Sequence, residues 1–200
     1  MVTVRAAERD ELDDLLAFER EYVDTSATID DYVGRYAAVP ETFLVAEDPD
    51  AGADPDGPAD PPWDSSVVGV ASGAPGDTVE VAGIGVRADR RGEGIGRRLL
   101  AAFEERAAAY GTVVSAAAAD NVEGFYLSAG YTPETVLLRV PEESLPADYE
   151  RRVPLVDERS PEPGRRFLYA GFDEYDQRVR EGLRRAVNAT DANTIFEKRL

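Results

Sequence analysis

The spacing of apolar residues divides the chain into short strands and amphipathic helices. Leu12, Leu15, Leu16 and Phe18 recur at helical spacing and predict a helix over 10–22. By the same reasoning we predict helices over 29–38, 94–110, 122–129 and 173–187, and strands over 3–6, 42–46, 66–72, 78–86, 112–118, 135–140 and 165–170. This order predicts a mixed α/β (α+β) chain with a mainly antiparallel sheet.

Two segments carry no such pattern. Residues 47–65 are rich in Asp, Pro, Gly and Ala, which predicts a flexible excursion between two strands. Residues 141–163 are charged and contain several prolines, which predicts a long loop. The helix over 173–187 carries an apolar stripe at a spacing of four. That stripe fits packing on its own core, cover for a ligand cleft, or a homodimer interface.

Cysteine and histidine are both absent from the 200 residues. Their absence excludes Cys nucleophiles, disulfides, Ser-His-Asp triads and Cys/His zinc sites. Acid–base chemistry must therefore rest on carboxylates, tyrosines, serines, backbone groups or water, and we expect no metal.

The charge balance is strongly acidic. The formal net charge is −18, with 40 acidic against 22 basic residues, and Lys198 is the single lysine. Residues 1–60 hold 17 acids and 4 bases. Such a surface disfavours nucleic acid as a partner, and it is typical of a protein that stays soluble in molar salt. No signal-peptide pattern and no run of 18 apolar residues is present, so we expect a cytoplasmic protein without membrane contact.

The strongest local signal reads Val-Arg-Ala-Asp-Arg-Arg-Gly-Glu-Gly-Ile-Gly-Arg-Arg-Leu-Leu over 86–100. A predicted strand runs into Gly92, Gly94 and Gly96, and a predicted helix follows. Glycines let the backbone turn and approach a ligand, and a helix N-terminus attracts anions. The surrounding basic residues reverse the local sign of charge: Arg87, Arg90, Arg91, Arg97 and Arg98. Together these features predict a phosphate-binding loop.

Other phosphate loops fit less well. A dinucleotide fingerprint needs its third glycine one residue later, and a P-loop needs a lysine that this segment lacks. A nucleotide-binding protein that uses ATP or NAD remains an alternative, as does a solvated glycine turn.

The segment Arg91-Gly92-Glu93-Gly94-Ile95-Gly96 resembles the acetyl-CoA loop of the GNAT N-acetyltransferase family, Arg/Gln-x-x-Gly-x-Gly/Ala. The resemblance implies a GNAT-like sheet with splayed central strands flanked by helices, and acetyl-CoA bound between strands 78–86 and 112–118. It also implies that amides of Gly92 to Arg97 cradle the CoA pyrophosphate. The backbone of Ile84, Gly85 and Val86 would bond the pantetheine arm. We interpret Gly83 and Gly85 as positions of close backbone approach.

A second segment, Phe125-Tyr126-Leu127-Ser128-Ala129-Gly130-Tyr131, is similar to the family's Phe/Leu-Tyr-x-x-x-Gly-Phe/Tyr. The resemblance implies that Tyr126 protonates the departing CoA thiolate, and a phenol suits that step. The other interpretation is that Tyr126 is a core aromatic residue. The family favours asparagine seven residues before this tyrosine. Here Ala119 occupies that position and Asn121 is the nearest asparagine, so Asn121 is a candidate CoA contact.

The amine acceptor must lose a proton. Glu80 lies on the predicted strand 11 residues before Arg91, a position similar to that of the glutamate base in the histone-acetylating branch of the family. Partial burial would raise the pKa of this carboxyl and suit it to act as a base. The other interpretations are an exposed residue on an alternating strand, or a residue that only shapes the acceptor pocket.

The sequence thus predicts a GNAT core over 1–140 and a C-terminal extension over 141–200. The predicted activity is acetyl transfer from acetyl-CoA to the primary amine of a small molecule or a protein. Alternatives are a non-catalytic acyl-CoA sensor of the same fold and an enzyme for a longer acyl chain. The acceptor amine is left open, because the loops that would select it are not part of the motif.

Overall fold

The computed structural model describes residues 1–23, 27–59, 61–119 and 121–200. The helices are α1 (Leu12–Tyr22), α2 (Ile29–Ala38), α3 (Ile95–Ala107), α4 (Glu123–Ser128), α5 (Tyr149–Arg152) and α6 (Gln177–Ala186). The strands are β1 (Thr3–Ala6), β2 (Leu44–Glu47), β3 (Val67–Ala74), β4 (Val79–Val86), β5 (Val113–Ala118), β6 (Thr132–Pro141), β7 (Leu155–Glu162), β8 (Arg165–Ala170) and β9 (Asp191–Arg199). The predicted mixed α/β fold with a mainly antiparallel sheet flanked by helices is confirmed.

The chain divides into two compact units, one of residues 1–114 with 199–200 and one of residues 115–198. The predicted division into a core over 1–140 and an extension over 141–200 remains a prediction. No helix in the described part of the chain has the length and apolarity needed to cross a membrane.

In the first unit, β1 to β4 pair antiparallel in chain order. Helix α1 covers one face of β4, where a Cβ on Gly83 would lie 2.7 Å from the Glu19 carboxyl. Helix α3 covers the other face of this sheet, where a Cβ on Gly69 would lie 3.0 Å from Leu99. The helices α1 and α2 bury an apolar core that includes Phe18, Tyr32 and Phe43.

In the second unit, the strand order is β5-β9-β6-β8-β7. Strands β6 and β8, β6 and β9, and β7 and β8 pair antiparallel. Val187, Leu183 and Tyr175 from the predicted apolar stripe pack against the core of this unit. Of the three interpretations of that stripe, packing on its own core is therefore the one that the structure shows.

Two sequence predictions, one about a loop and one about the C-terminal end, were wrong. Residues 141–163 are not one long loop, because they contain α5 and β7. Strand β7 lies at the end of the sheet order; an edge strand tolerates charge and proline, which hides it from an apolar pattern. Strand β9 was missed entirely because its buried positions include the polar Thr194. The excursion predicted over 47–65 does connect β2 to β3, and it contributes Trp63 to the core.

Candidate active site

The glycine loop connects β4 to α3 as the sequence predicts. A single 3-10 turn over Ala88–Arg90 follows β4, and Gly92 and Gly94 then take φ values of +84° and +80°. Residues with a Cβ rarely adopt this left-handed conformation. A Cβ at either position would meet no other atom within 4 Å, so the backbone direction alone requires glycine there.

The N-terminus of α3 is open to a ligand. Gly94 is the N-cap, so no side chain caps the helix, and its first turn contains no acidic residue. The N–H of Arg98 donates to the Gly94 carbonyl at 3.1 Å, so the amides of 94–97 precede the first helical hydrogen bond. Because Gly92, Glu93 and Gly94 are exposed, these amides and the positive end of the helix dipole fit a phosphate group.

Two of the five arginines around the glycine loop, Arg87 and Arg90, are bonded to other groups of the protein. Arg87 is 2% exposed, and its Nη1 donates to the carbonyls of Gly52 (2.8 Å) and Ser65 (3.0 Å). Arg87 also donates twice to Asp89. The predicted place of Arg87 around the anion is therefore wrong, since its guanidinium anchors the 47–65 segment.

Arg90 also forms ion pairs with carboxylates of the protein. Its Nη2 lies 2.8 Å from Asp48 and 3.0 Å from Glu93. The hydrogen bond from Arg90 lowers the pKa of Asp48 to about 2. By contrast, Arg91 is exposed and donates from Nε to the Val86 carbonyl at 3.2 Å. Arg97 and Arg98 lie exposed on the first turn of α3.

Strand β4 contains an irregularity next to Gly83, one of the two glycines interpreted as positions of close backbone approach. Ser72 pairs with Gly83, whereas the next residue of β3, Gly73, pairs with Val81, so the register shifts by one residue. A bulge of this kind leaves backbone groups outside the ladder and available to a ligand. The close approach predicted at Gly83 and Gly85 is found, but the approaching group is α1. A Cβ on Gly85 would lie 2.5 Å from the Val23 side chain.

A buried polar cluster lies behind this strand. Glu19 is fully buried, and its Oε1 accepts a hydrogen bond from the Tyr32 hydroxyl at 2.9 Å. Among the described residues, Oε2 has no hydrogen-bond partner. Burial raises the pKa of Glu19, with Ser72, Tyr32 and the charge of Arg35 acting in the opposite direction. Sequence reasoning missed this carboxyl, although Glu19 continues the apolar stripe of α1.

Glu80 does not have the environment predicted for it. Burial along β4 alternates, and Glu80 is exposed while Val79 and Val81 are buried. The expectation of partial burial is therefore wrong, and desolvation offers no support for Glu80 as a base. Its catalytic role remains a prediction.

Tyr126 lies in the second unit, on α4. It is 4% exposed, and its ring contacts those of Phe125, Tyr131 and Phe196. Gly130 follows the C-cap of this helix and has a left-handed φ of +86°. The N–H of Gly130 donates to the Leu127 carbonyl, and that of Tyr131 to the Tyr126 carbonyl, both at 3.1 Å. This pair of hydrogen bonds is a Schellman motif, and it fixes the turn that follows the helix.

Asn121 lies in the turn before α4, where it is exposed. The residues predicted to bind the acetyl donor, Ile84 to Arg97, thus belong to the first unit, whereas Asn121 and Tyr126 belong to the second.

Comparison with known proteins identifies a domain in this chain. Residues 40–133 match the family model described as an acetyltransferase (GNAT) domain. That match includes the glycine loop, the β4 strand and the Tyr126 segment. No curated protein sequence matches the chain significantly.

Solved structures agree on the fold. A putative acetyltransferase from Pyrococcus horikoshii is 11% identical with a TM-score of 0.60, over 100% of this chain and 89% of its own. A GNAT family acetyltransferase from Elizabethkingia anophelis, solved with acetyl-CoA bound, is 12% identical with a TM-score of 0.52, over 100% and 98%. The ribosomal-protein-S18-alanine N-acetyltransferase from Escherichia coli is 15% identical with a TM-score of 0.51, over 88% and 100%. Residues 40–133 therefore form a GNAT acetyltransferase domain, and the chain is an acyltransferase.

Proposed function

We propose that the protein transfers the acetyl group of acetyl-CoA to a primary amine by direct attack of that amine. The observation that carries the proposal is the N-terminus of α3, which follows two left-handed glycines and has no side-chain cap. In the proposal, the amides from Gly92 to Arg97, including those of Glu93 and Ile95, hold the pyrophosphate of the donor. The exposed guanidinium of Arg91 adds positive charge at the same loop.

The backbone of β4 would hold the pantetheine arm. Ile84, Gly85 and Val86 follow the register shift in this strand, and their backbone groups are the proposed partners of the arm. A backbone N–H near Ile84 would polarise the thioester carbonyl. Asn121 is proposed as a further contact with CoA.

The reaction needs no covalent enzyme intermediate. The amine nitrogen bonds to the thioester carbonyl carbon, the C–S bond breaks, and the sulfur leaves as a thiolate. Tyr126 is proposed to donate its hydroxyl proton to that sulfur. Its support is the packing of the ring against three other aromatic rings, which restricts the side chain to one orientation and so favours a positioned proton donor.

The amine proton must go to a base, and Glu80 is the proposed acceptor, either directly or through water. Its exposure on β4 allows contact with solvent. We expect Glu80→Gln to lower kcat with little change in stability. An unchanged kcat would show that Glu80 is not the base. Another group would then accept the amine proton, and the proposal of acetyl transfer would stand.

Ligand binding tests the donor site first. Thermal unfolding would be followed in about 2 M KCl with acetyl-CoA, CoA, ATP or NAD. We expect acetyl-CoA and CoA to raise the Tm. At a ligand concentration of 100 times the Kd, the free energy of unfolding should increase by about 2.7 kcal/mol. A Tm shift with ATP or NAD alone, or no Tm shift with any of the four ligands, would overturn the proposal.

Turnover separates an enzyme from an acyl-CoA sensor. Thiol release from acetyl-CoA would be followed with spermidine, free lysine and an alanine-starting peptide as amines. Tyr126→Phe should lower kcat by about 10²-fold, the usual contribution of a general acid. Tyr110→Phe is the control, because Tyr110 is 39% exposed on the surface. Binding without thiol release for any amine would support the sensor instead.

We further propose that the protein works in molar salt in the cytoplasm. The support is its net charge of −18 and its nearly lysine-free composition. Added salt screens repulsion between the surface carboxylates, so the Tm should rise between 0.1 and 2 M KCl. A Tm that falls over this range would contradict the proposal.

A further inference from the structure

Three residues of the C-terminal strand β9 contact α4 or its C-cap. Residues 194, 196 and 198 alternate along β9, so their side chains leave the same face of the strand. Each of these three side chains meets a different part of α4. Strand β9 lies outside residues 40–133, which carry the family match.

Thr194 meets the start of α4. Its hydroxyl donates to Oε1 of Glu123, the first residue of the helix, at 2.8 Å. The same oxygen accepts hydrogen bonds from Arg180 and from the Tyr175 hydroxyl. Glu123 and Arg180 are 3% and 4% exposed, so this carboxylate is held in a buried network.

Phe196 meets the middle of α4. Its ring is fully buried and lies parallel to that of Tyr126, with centroids 5.9 Å apart and an interplanar angle of 20°. Tyr126 is three residues after Glu123, so the two side chains share one face of the helix. The anchored carboxylate and the proposed catalytic phenol are therefore fixed by the same strand.

Lys198 meets the end of α4. Its ammonium donates to the carbonyl of Ala129, the C-cap residue, at 3.0 Å and lies 5.6 Å from the Tyr131 ring. A cation at this end of a helix satisfies a free carbonyl and complements the dipole. This residue is the single lysine of the chain.

Helix α4 depends on such contacts. It has six residues, and its N-cap residue Val122 makes no side-chain cap bond. Isolated helices of this length are not stable in water. Strand β9, in contrast, lies between β5 and β6 in the sheet order, so its backbone is held on both sides.

From these contacts we infer that β9 is the positioning element of the active site, with Thr194 and Lys198 fixing the two ends of α4 so that the Tyr126 hydroxyl meets the leaving sulfur. This inference rests on the proposed role of Tyr126. Thr194 and Lys198 act through Tyr126 and touch no substrate. The C-terminal region thereby takes part in catalysis without supplying a reacting group.

The test compares Thr194→Val and Lys198→Met with Glu197→Gln, a control between them on the same strand. Steady-state rates would be measured with the amine that gives the fastest thiol release, at a temperature well below each Tm. Both test variants should lower kcat about tenfold, less than the 10²-fold cost of a full 1 Å misplacement. The KM for acetyl-CoA should stay within about twofold, because the donor loop is unchanged, and the control should keep both constants.

Each variant would also be combined with Tyr126→Phe. If β9 acts through the phenol, Thr194→Val and Lys198→Met cause no further loss of kcat once the hydroxyl is gone. Losses that multiply in the double variants, or an equal loss in Glu197→Gln, would overturn the positioning role and leave Tyr126 as the acid. An unchanged kcat in Tyr126→Phe alone would overturn the general-acid proposal and this inference with it.

Discussion

Gly83→Ala tests whether the glycines of β4 exist for helix packing or for ligand contact. A Cβ at this position would lie 2.7 Å from Oε2 and 2.8 Å from Oε1 of Glu19. The Glu19 carboxyl is fully buried and bonded to Tyr32. To make room, this carboxyl must leave its hydrogen bond, or α1 must move away from β4.

The magnitude follows from the cost of overpacking. An extra methyl group in a well-packed core costs about 1–3 kcal/mol. For a chain of 200 residues, each kcal/mol shifts the Tm by about 2–4 °C. We therefore expect Gly83→Ala to lower the Tm by roughly 2–12 °C.

Thermal unfolding in about 2 M KCl measures this effect, and two further variants sharpen it. Gly182→Ala is the control, because Gly182 is exposed within α6 with no atom within 4 Å of its added Cβ. It should stabilise the protein by about 1 kcal/mol through helix propensity. Adding Glu19→Ala to Gly83→Ala removes the clashing carboxyl, so the double variant should be less destabilised than the sum of the two single variants.

The packing explanation fails if Gly83→Ala keeps the wild-type Tm and instead raises the KM for acetyl-CoA. That outcome would mean that the space beside Gly83 serves the ligand. Additive effects in the double variant would also refute contact between Glu19 and the new methyl group.

Three other predictions concern single residues. Glu19→Gln should stabilise the protein above about pH 5, because burial raises the pKa of Glu19. The folded wild-type protein holds this proton more tightly than the unfolded chain does. Its stability therefore falls as the pH rises from the ordinary pKa near 4.5 to the raised value. Parallel Tm-against-pH curves for wild type and variant would contradict this. Gly94→Ala places a side chain at φ +80° and should cost about 1–2 kcal/mol and weaken acetyl-CoA binding in a thermal-shift titration; wild-type affinity would speak against the loop. Arg87→Met should lower the Tm by several degrees because it removes a buried ion pair and two carbonyl contacts, whereas Arg91→Met should weaken acetyl-CoA binding at nearly unchanged Tm. The reverse pattern would show that the two arginines were assigned wrongly.

Much of the fold was predictable from local patterns. The helix α2 and the strands β1 and β8 have the predicted bounds, and most other elements lie within a few residues of them. The failures, β7 and β9, are strands whose polar or charged residues are accommodated by neighbouring strands. Their pairing partners are distant in the chain, so no local pattern indicates them.

The glycine loop was predictable because the requirements on its residues are local. Gly92 and Gly94 must be glycine for their own φ values, and the helix that follows them presents its amides regardless of the rest of the fold. The sequence by itself was therefore enough to indicate the acetyltransferase domain and to predict which loop would bind phosphate.

The tertiary structure decided which side chains are available there. Arg87 and Arg91 are four residues apart in one arginine-rich segment. Arg87 is nevertheless buried and donates to carbonyls distant in sequence, whereas Arg91 is exposed. In the same way, Glu19 is buried because α1 packs on Gly83, and Tyr126 is fixed by a strand seventy residues later. Burial, ion pairing and ring packing depend on groups brought together from far along the chain, and only folding makes those contacts.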